Sequence, residues 1–292
     1  VKYTLILIDK QLIEKSNQSG WHGTLDLVYA NFNDATQINY SHSQAPLKVQ
    51  RPFYPEGKSI CQSVVLHTAG GMVGGDRLSQ NFHLQSNAKT SITTAAASKI
   101  YRSNGQLAKQ NINIKIDAGA WLEFLPQETI VFNGAVYRQD LQVELAPGAS
   151  WLGWEITRFG RSARGEKFLQ GAWRSCMEVW QQGCPLWIDR QWLLGGEEMF
   201  YSANGLAGKP VVGTLCWLGQ SVAPEVTEQV RNLWTNHQTE GEAGVTHLLT
   251  GLLCRYRGNS CSEVRKWFTD VWQLLRLTYL GIPATKPRVW LF

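Results

Sequence analysis

Three stretches decide the architecture: FHLQSNAKTSI from Phe82, INIKIDAGAWL from Ile112 and LQVELAPGASWL from Leu141. Each has two or three alternating apolar residues, then a turn of small residues, then apolar positions again. Alternation at period two marks a half-buried strand, because successive side chains point to opposite faces. In the middle copy Ile112, Ile114, Ile116, Ala118, Ala120, Leu122 and Phe124 share one face. The copies start 30 and 29 residues apart. A turn recurring at a near-fixed interval predicts that successive strand pairs stack on one another. The expected fold is mainly β, with layered, partly β-helical stacked strands and with Leu84, Ile114 and Val143 in one apolar row. Copies this divergent also fit ordinary sandwich hairpins.

Outward from this core, strands are expected over Leu25–Phe32, Ser63–His67, Glu178–Trp180, Leu186–Leu193, Val211–Leu218 and Val245–Arg257, and a first strand over Val1–Ile8. Glycine-rich connections such as GGMVGGD and NGLAG separate such runs, as all-β folds require. The C-terminal part differs. Pro224 suits a first helical turn, and Val226, Val230, Leu233 and Trp234 follow at helical spacing. A second helix starts near Ser260, which has capping-box spacing to Glu263. Val264, Trp267, Phe268, Val271, Trp272, Leu275 and Tyr279 form its apolar stripe, and Gly281 and Pro283 stop it. Such a stripe is a core-facing side far more often than a ligand box. No linker interrupts the chain, so residues 1–292 read as one domain: a β body over about 1–222, and a helix-containing part over about 223–292 that closes one side.

The 292 residues carry 28 Lys and Arg against 23 Asp and Glu, with the signs interspersed. No basic run tracks a phosphate backbone, which argues against nucleic acid. No apolar run approaches the ~20 residues of a membrane helix. Val1–Ile8 lacks the pattern of a secretory signal, so the expected location is cytoplasmic. Six cysteines form no C-x-x-C pair, and six histidines no H-x-x-x-H pair, so no tight metal cage or bound cofactor is expected.

Four segments carry candidate chemistry. In HTAGGMVGGDRL, four glycines permit tight turning, but no Gly-Lys-Ser/Thr follows to cradle phosphate. Asp76 after two glycines reads either as a solvated turn aspartate, which the local sequence favours, or as a carboxylate projected into a cavity. TTAAASKIYRS, Thr93 to Ser103, has small residues that allow close backbone stacking. WLEFLPQETIVFNGA carries Glu123 and Glu128, a carboxylate pair of the kind glycosidases use. With thirteen tryptophans, a carbohydrate-active β-helical enzyme is the alternative reading. No nucleophile or histidine accompanies the pair. In WEITRFGRSARGE, Arg158, Arg161 and Arg164 recur every three residues beside Glu155 and Glu166, as a partner site, a phosphate site or an internal salt-bridge set.

Seven segments in order resemble the urease accessory protein UreD (UreH) family: VQRPFYPEG (Val49 to Gly57), GGMVGGD (Gly70 to Asp76), TTAAASKIYRS, WLEFLPQETIVF, GRSARGE (Gly160 to Glu166), VVGTL (Val211 to Leu215) and a terminal helix ending in PRVWLF (Pro287 to Phe292). Each is weak alone, and the ordered set is specific. The resemblance implies a predominantly β, non-enzymatic chaperone-like scaffold. It implies binding to apo-urease and to UreF, which recruits the GTPase UreG, in an assembly that carbamylates and loads the dinickel centre. It also implies an internal polar tunnel for transient Ni²⁺. By motif position the candidates for that path are Asp76, Ser98, Glu155 and Asp189, with Glu123, Glu128 and Glu166 as further ones.

Overall fold

The computed structural model describes residues 20–235 and 240–290; the strand expected over Val1–Ile8 lies outside them. Two large sheets face one another. The first runs, edge to edge, β2 (Ala35–Gln44), β1 (His22–Phe32), β5 (Arg77–Leu84), β8 (Ala108–Ile116), β11 (Val136–Leu145), β13 (Ala172–Gln181) and β14 (Cys184–Leu194). The second runs β3 (Leu47–Val49), β4 (Ile60–His67), β6 (Lys89–Thr94), β9 (Trp121–Leu125), β12 (Ser150–Phe159), β15 (Val211–Leu218), β17 (Gly251–Gly258) and β16 (Glu242–Leu248). A narrow third ribbon pairs β7 (Ser98–Ile100) and β10 (Thr129–Val131) with the end of β12. The chain circulates from first sheet to second to ribbon and back, so β5–β6–β7 and β8–β9–β10 are successive coils of a solenoid. Neighbouring coils pair in parallel, and antiparallel strands close both ends of the stack.

The repeat is real, and its first offset is two residues longer than the sequence suggests. Phe82 lies opposite Ile114 and Ile114 opposite Val143, giving offsets of 32 and 29. Leu84 therefore stacks on Ile116 and Leu145, not on Ile114. A slip of two keeps every side chain on its face, which is why alternation alone cannot detect it. The surplus sits mainly in loop 101–107, longer than its counterpart 132–135 in the next coil. The middle copy's apolar phase does line one core, but from two facing sheets: Ile112, Ile114 and Ile116 from β8, Leu122 and Phe124 from β9.

The turn between the sheets has the same form in each coil. Asn87, Gly119 and Gly148 occupy the left-handed region at φ 62°, 71° and 77°. The buried alanine that follows each (Ala88, Ala120, Ala149) donates its N–H to the carbonyl three residues back. A Cβ on Gly119 would come within 2.3 Å of Asn87 Oδ1, so a larger residue there would push that exposed side chain aside as well as strain the backbone.

A second core covers the outer face of the second sheet. Helices α2 (Pro224–Thr235) and α3 (Cys261–Leu280) pack there; a short α1 (Glu197–Tyr201) lies between β14 and β15. Ser260 caps α3, accepting from Glu263 N at 3.2 Å, and Gly281 ends it at φ 69°. The expected stripe from Val264 to Leu275 is buried. The described part of PRVWLF does not extend this helix: Arg288–Trp290 is a separate 3-10 turn, with the Trp290 indole donating to Thr93 Oγ1 at 3.0 Å. The run Val245–Arg257 is a hairpin, β16 and β17, because Leu249 and Thr250 turn between them.

Glu123 is in this second core. Its Oε2 lies 3.0 Å from Arg276 Nη1, its Oε1 accepts from the Trp121 indole, and Arg276 also pairs with Glu56. Arg276 is 1% exposed, so both members of the Glu123 pair are desolvated. Removing one partner of such a pair strands the other charge. Arg276→Met should lose about 3–5 kcal/mol in urea unfolding, and adding Glu123→Gln should restore a substantial part of it. A wild-type midpoint for Arg276→Met would show that the pair does not fasten α3.

Candidate functional site

Between the two sheets the core is apolar along most of its length, but at one end polar residues occupy its phase. In β11 the buried phase Leu145, Val143, Leu141 continues as Gln139 and Tyr137. In β13 Val179 and Met177 give way to Ser175, and in β14 the positions in phase with Leu193 are Gln191 and Asp189. Ladder register then puts Gln110, Gln139, Ser175 and Gln191 on a single rung across four strands. The Tyr137 hydroxyl lies 3.1 Å from both Gln110 Oε1 and Gln139 Oε1.

The facing sheet supplies one carboxylate and one cation. Glu155, Thr214 and Arg255 sit side by side on β12, β15 and β17. Glu155 reaches across to accept from Ser175 Oγ at 2.8 Å, with Thr157 Oγ1 at 3.3 Å. Arg255 reaches across to Asp189, Nη2 to Oδ2 at 2.8 Å, and donates from Nη1 to Thr214 Oγ1 at 2.9 Å. Gln191 donates to the same Asp189 oxygen at 2.8 Å. Glu155, Thr157, Trp173, Gln191 and Thr214 line a cavity of about 10 Å³, the space of one water. The Trp173 indole N–H is buried without a protein acceptor. Burial pushes the Glu155 carboxyl above its ordinary range; Ser175 pulls it down, and Asp189 pushes it further up.

Of the sequence candidates, Glu155 and Asp189 meet here. Ser98 lies in the third ribbon, two strands from Thr157 in the same register through Thr129, and Thr157 bonds to Glu155. Asp76 is neither a solvated turn residue nor a member of this cluster. It is buried before β5 and accepts from the backbone of Trp21 (3.0 Å) and Val73 (2.8 Å), tying the glycine loop to the start of β1. Glu123 is behind the second sheet, Glu128 pairs with Arg265 of α3, and Glu166 is clamped by Arg161 at 2.6 and 2.9 Å. The Arg161 hydrogen bonds hold the Glu166 carboxyl below its usual range. The three-residue arginine spacing thus yields a loop staple at Arg161, while Arg158 donates to the Asn259 carbonyl and Arg164 is exposed. The residues that sequence reasoning missed are Tyr137, Gln139, Ser175, Gln191 and Arg255. Their signal was available: carrying the apolar phase backwards along β11, β13 and β14, and forwards from Leu253 in β17, meets a polar residue.

Among the described residues no cluster of three or more His, Cys, Asp or Glu side chains is arranged to hold a metal, and no helix is long and apolar enough to cross a membrane. The six cysteines are free. A concavity of about 440 Å³ lies on the outer face of the first sheet. Its floor is an amide ladder, Asn113 to Asn81 (2.9 Å) to Asp26 (2.6 Å), which ties successive coils.

The sequence model of the UreD urease accessory protein family matches residues 22–291. The chain is 68% identical over 271 residues to the urease accessory protein UreD of Trichormus variabilis, covering 93% of this chain and 96% of that one. It is 55% identical over 281 residues to the UreD of Acaryochloris marina (96% and 99%) and 42% identical over 256 residues to that of Synechocystis (87% and 95%).

The raised Glu155 carboxyl has a consequence for stability. Folded protein holds this proton above the pH, about 4.3, at which an unfolded glutamate releases it. In that window the native state binds more protons, so this group's contribution falls as pH rises from the unfolded to the folded pKa. Glu155→Gln removes the titration. Its stability relative to wild type should therefore rise with pH from 4.5 upward, in urea melts at matched ionic strength.

Proposed function

The chain belongs to the UreD urease accessory protein family, with a role in urease maturation, and on that premise we propose that it is a non-enzymatic scaffold that passes nickel along its polar interior. In this reading it holds apo-urease and UreF, with the GTPase UreG recruited through UreF, in the cytoplasm. The observation that carries the conduit is the rung Gln110–Gln139–Ser175–Gln191 facing Glu155. Burying polar groups costs free energy that an apolar core avoids. A row of them in register, beside two carboxylates and a water-sized cavity, offers oxygen ligands to a cation that has shed most of its own water. Amide, hydroxyl and carboxylate oxygens accept Ni²⁺ but hold it less firmly than imidazole or thiolate. A path must bind weakly enough to release its cargo. The alternative glycosidase reading gains nothing, since Glu123 and Glu128 are each engaged by an arginine beneath α3.

Glu155→Gln, Asp189→Asn and Ser175→Ala test the path. Each should still co-purify with urease and UreF, while urease matured in cells carrying it contains severalfold less nickel and recovers partly in excess Ni²⁺. Wild-type nickel loading in all three would remove the conduit from the account. Loss of UreF would reassign the residues to docking.

A further inference from the structure

Arg255 is in an unusual place for a cation. It is the basic side chain of the cluster, and it is tied to one of that cluster's two carboxylates. Its partners are few: Asp189 at 2.8 Å, Thr214 at 2.9 Å, and the Trp187 ring at 5.8 Å from the guanidinium carbon. Its side chain is 38% exposed, against 11% for Asp189. Space is open beside it: the next residue on its ladder row is Gly244, around whose Cβ position there is nothing within 4 Å. The side chain therefore has a bulk-facing alternative that Asp189, held also by Gln191, does not.

We propose that Arg255 is the tethered occupant of a divalent-cation site formed by Glu155 and Asp189, and that its return displaces the metal and keeps binding there weak. This rests on the conduit reading and adds to it a residue that sets affinity. The charges favour exchange in both directions. Arg255 brings one positive charge to the pair of carboxylates, while a divalent cation with Arg255 swung out brings two. Burial resists an uncompensated charge in either state. Glu155, Thr157 and Thr214 line the water-sized cavity, Ser175 bonds to Glu155 beside it, and the Asp189 carboxylate becomes free when Arg255 leaves. A cation on the same chain competes at an effective concentration of about millimolar. It therefore weakens every metal ion at the site without any change in the ligands. Arg255 is a positioning residue here and makes no contact with the cargo.

The test is equilibrium dialysis of the purified full chain against NiCl₂. Arg255→Met should bind one Ni²⁺ at least about tenfold more tightly than wild type, because the tethered competitor is gone. Arg255→Gln, which keeps a donor toward Thr214, should do the same and serves if the methionine variant does not fold. Arg255→Lys, still a tethered cation, should bind as wild type. Adding Asp189→Asn or Glu155→Gln to Arg255→Met should abolish the gain. Affinity unchanged in both neutral variants, or a gain that survives loss of the carboxylates, would overturn the proposal. The conduit fails separately: normal nickel loading of urease by Glu155→Gln and Asp189→Asn removes transport, whatever dialysis of the Arg255 variants shows.

Discussion

In-register parallel pairing between coils is the constraint on which everything else depends. Each coil must reverse direction between two sheets in four residues and arrive in phase with the coil before it. The left-handed residue at Asn87, Gly119 and Gly148 performs that reversal, and the buried alanine after each lets the turns stack. Once phase is kept, a side chain at one position meets its equivalent above and below. Apolar rows such as Phe82–Ile114–Val143 follow from this, and so does the polar rung. A one-residue slip anywhere in the stack would turn Gln139 and Ser175 outward and break both.

The sequence is most legible where the physics is local. Alternation in Ile112–Phe124, the Ser260 cap and the Gly281 stop depend on neighbours within a few residues, and all three are present in the fold. Register depends on loop length, and loop 101–107 absorbs residues without leaving a trace in the alternation. The candidate site was legible in part. Glu155 and Asp189 came from motif position, but Arg255 lies 100 residues beyond Glu155 and joins them only because β12, β15 and β17 are adjacent. Glu123 and Glu128 looked paired because they are close along the chain. The intervening proline and the two arginines of α3 send each to its own partner.

The molecule has two cores separated by one sheet, and they treat charge differently. The outer core, between the second sheet and the helices, is rich in tryptophan and sealed. The inner one is dry over the apolar rows and polar toward the last coils. A uniformly apolar interior would be easier to stabilise, since each buried amide or hydroxyl must find a partner to offset its desolvation. Here the partners are found across the gap between sheets: Ser175 with Glu155, Arg255 with Asp189. The polar end thus joins the two sheets where the apolar rows no longer do.

Two arginine–carboxylate pairs make the contrast concrete. Arg276 is 1% exposed, shared between Glu123 and Glu56, and projects from α3 beside Trp272. It has nowhere else to go, and leaving would strand two carboxylates. Arg255 is 38% exposed, bound to one carboxylate and one hydroxyl, and faces open space beside Gly244. Leaving strands only Asp189, and a cation of higher charge can take over. The same pair of functional groups is a rivet where desolvation is complete and an exchangeable latch where one member keeps contact with water. Burial, rather than the chemistry of the pair, decides between them.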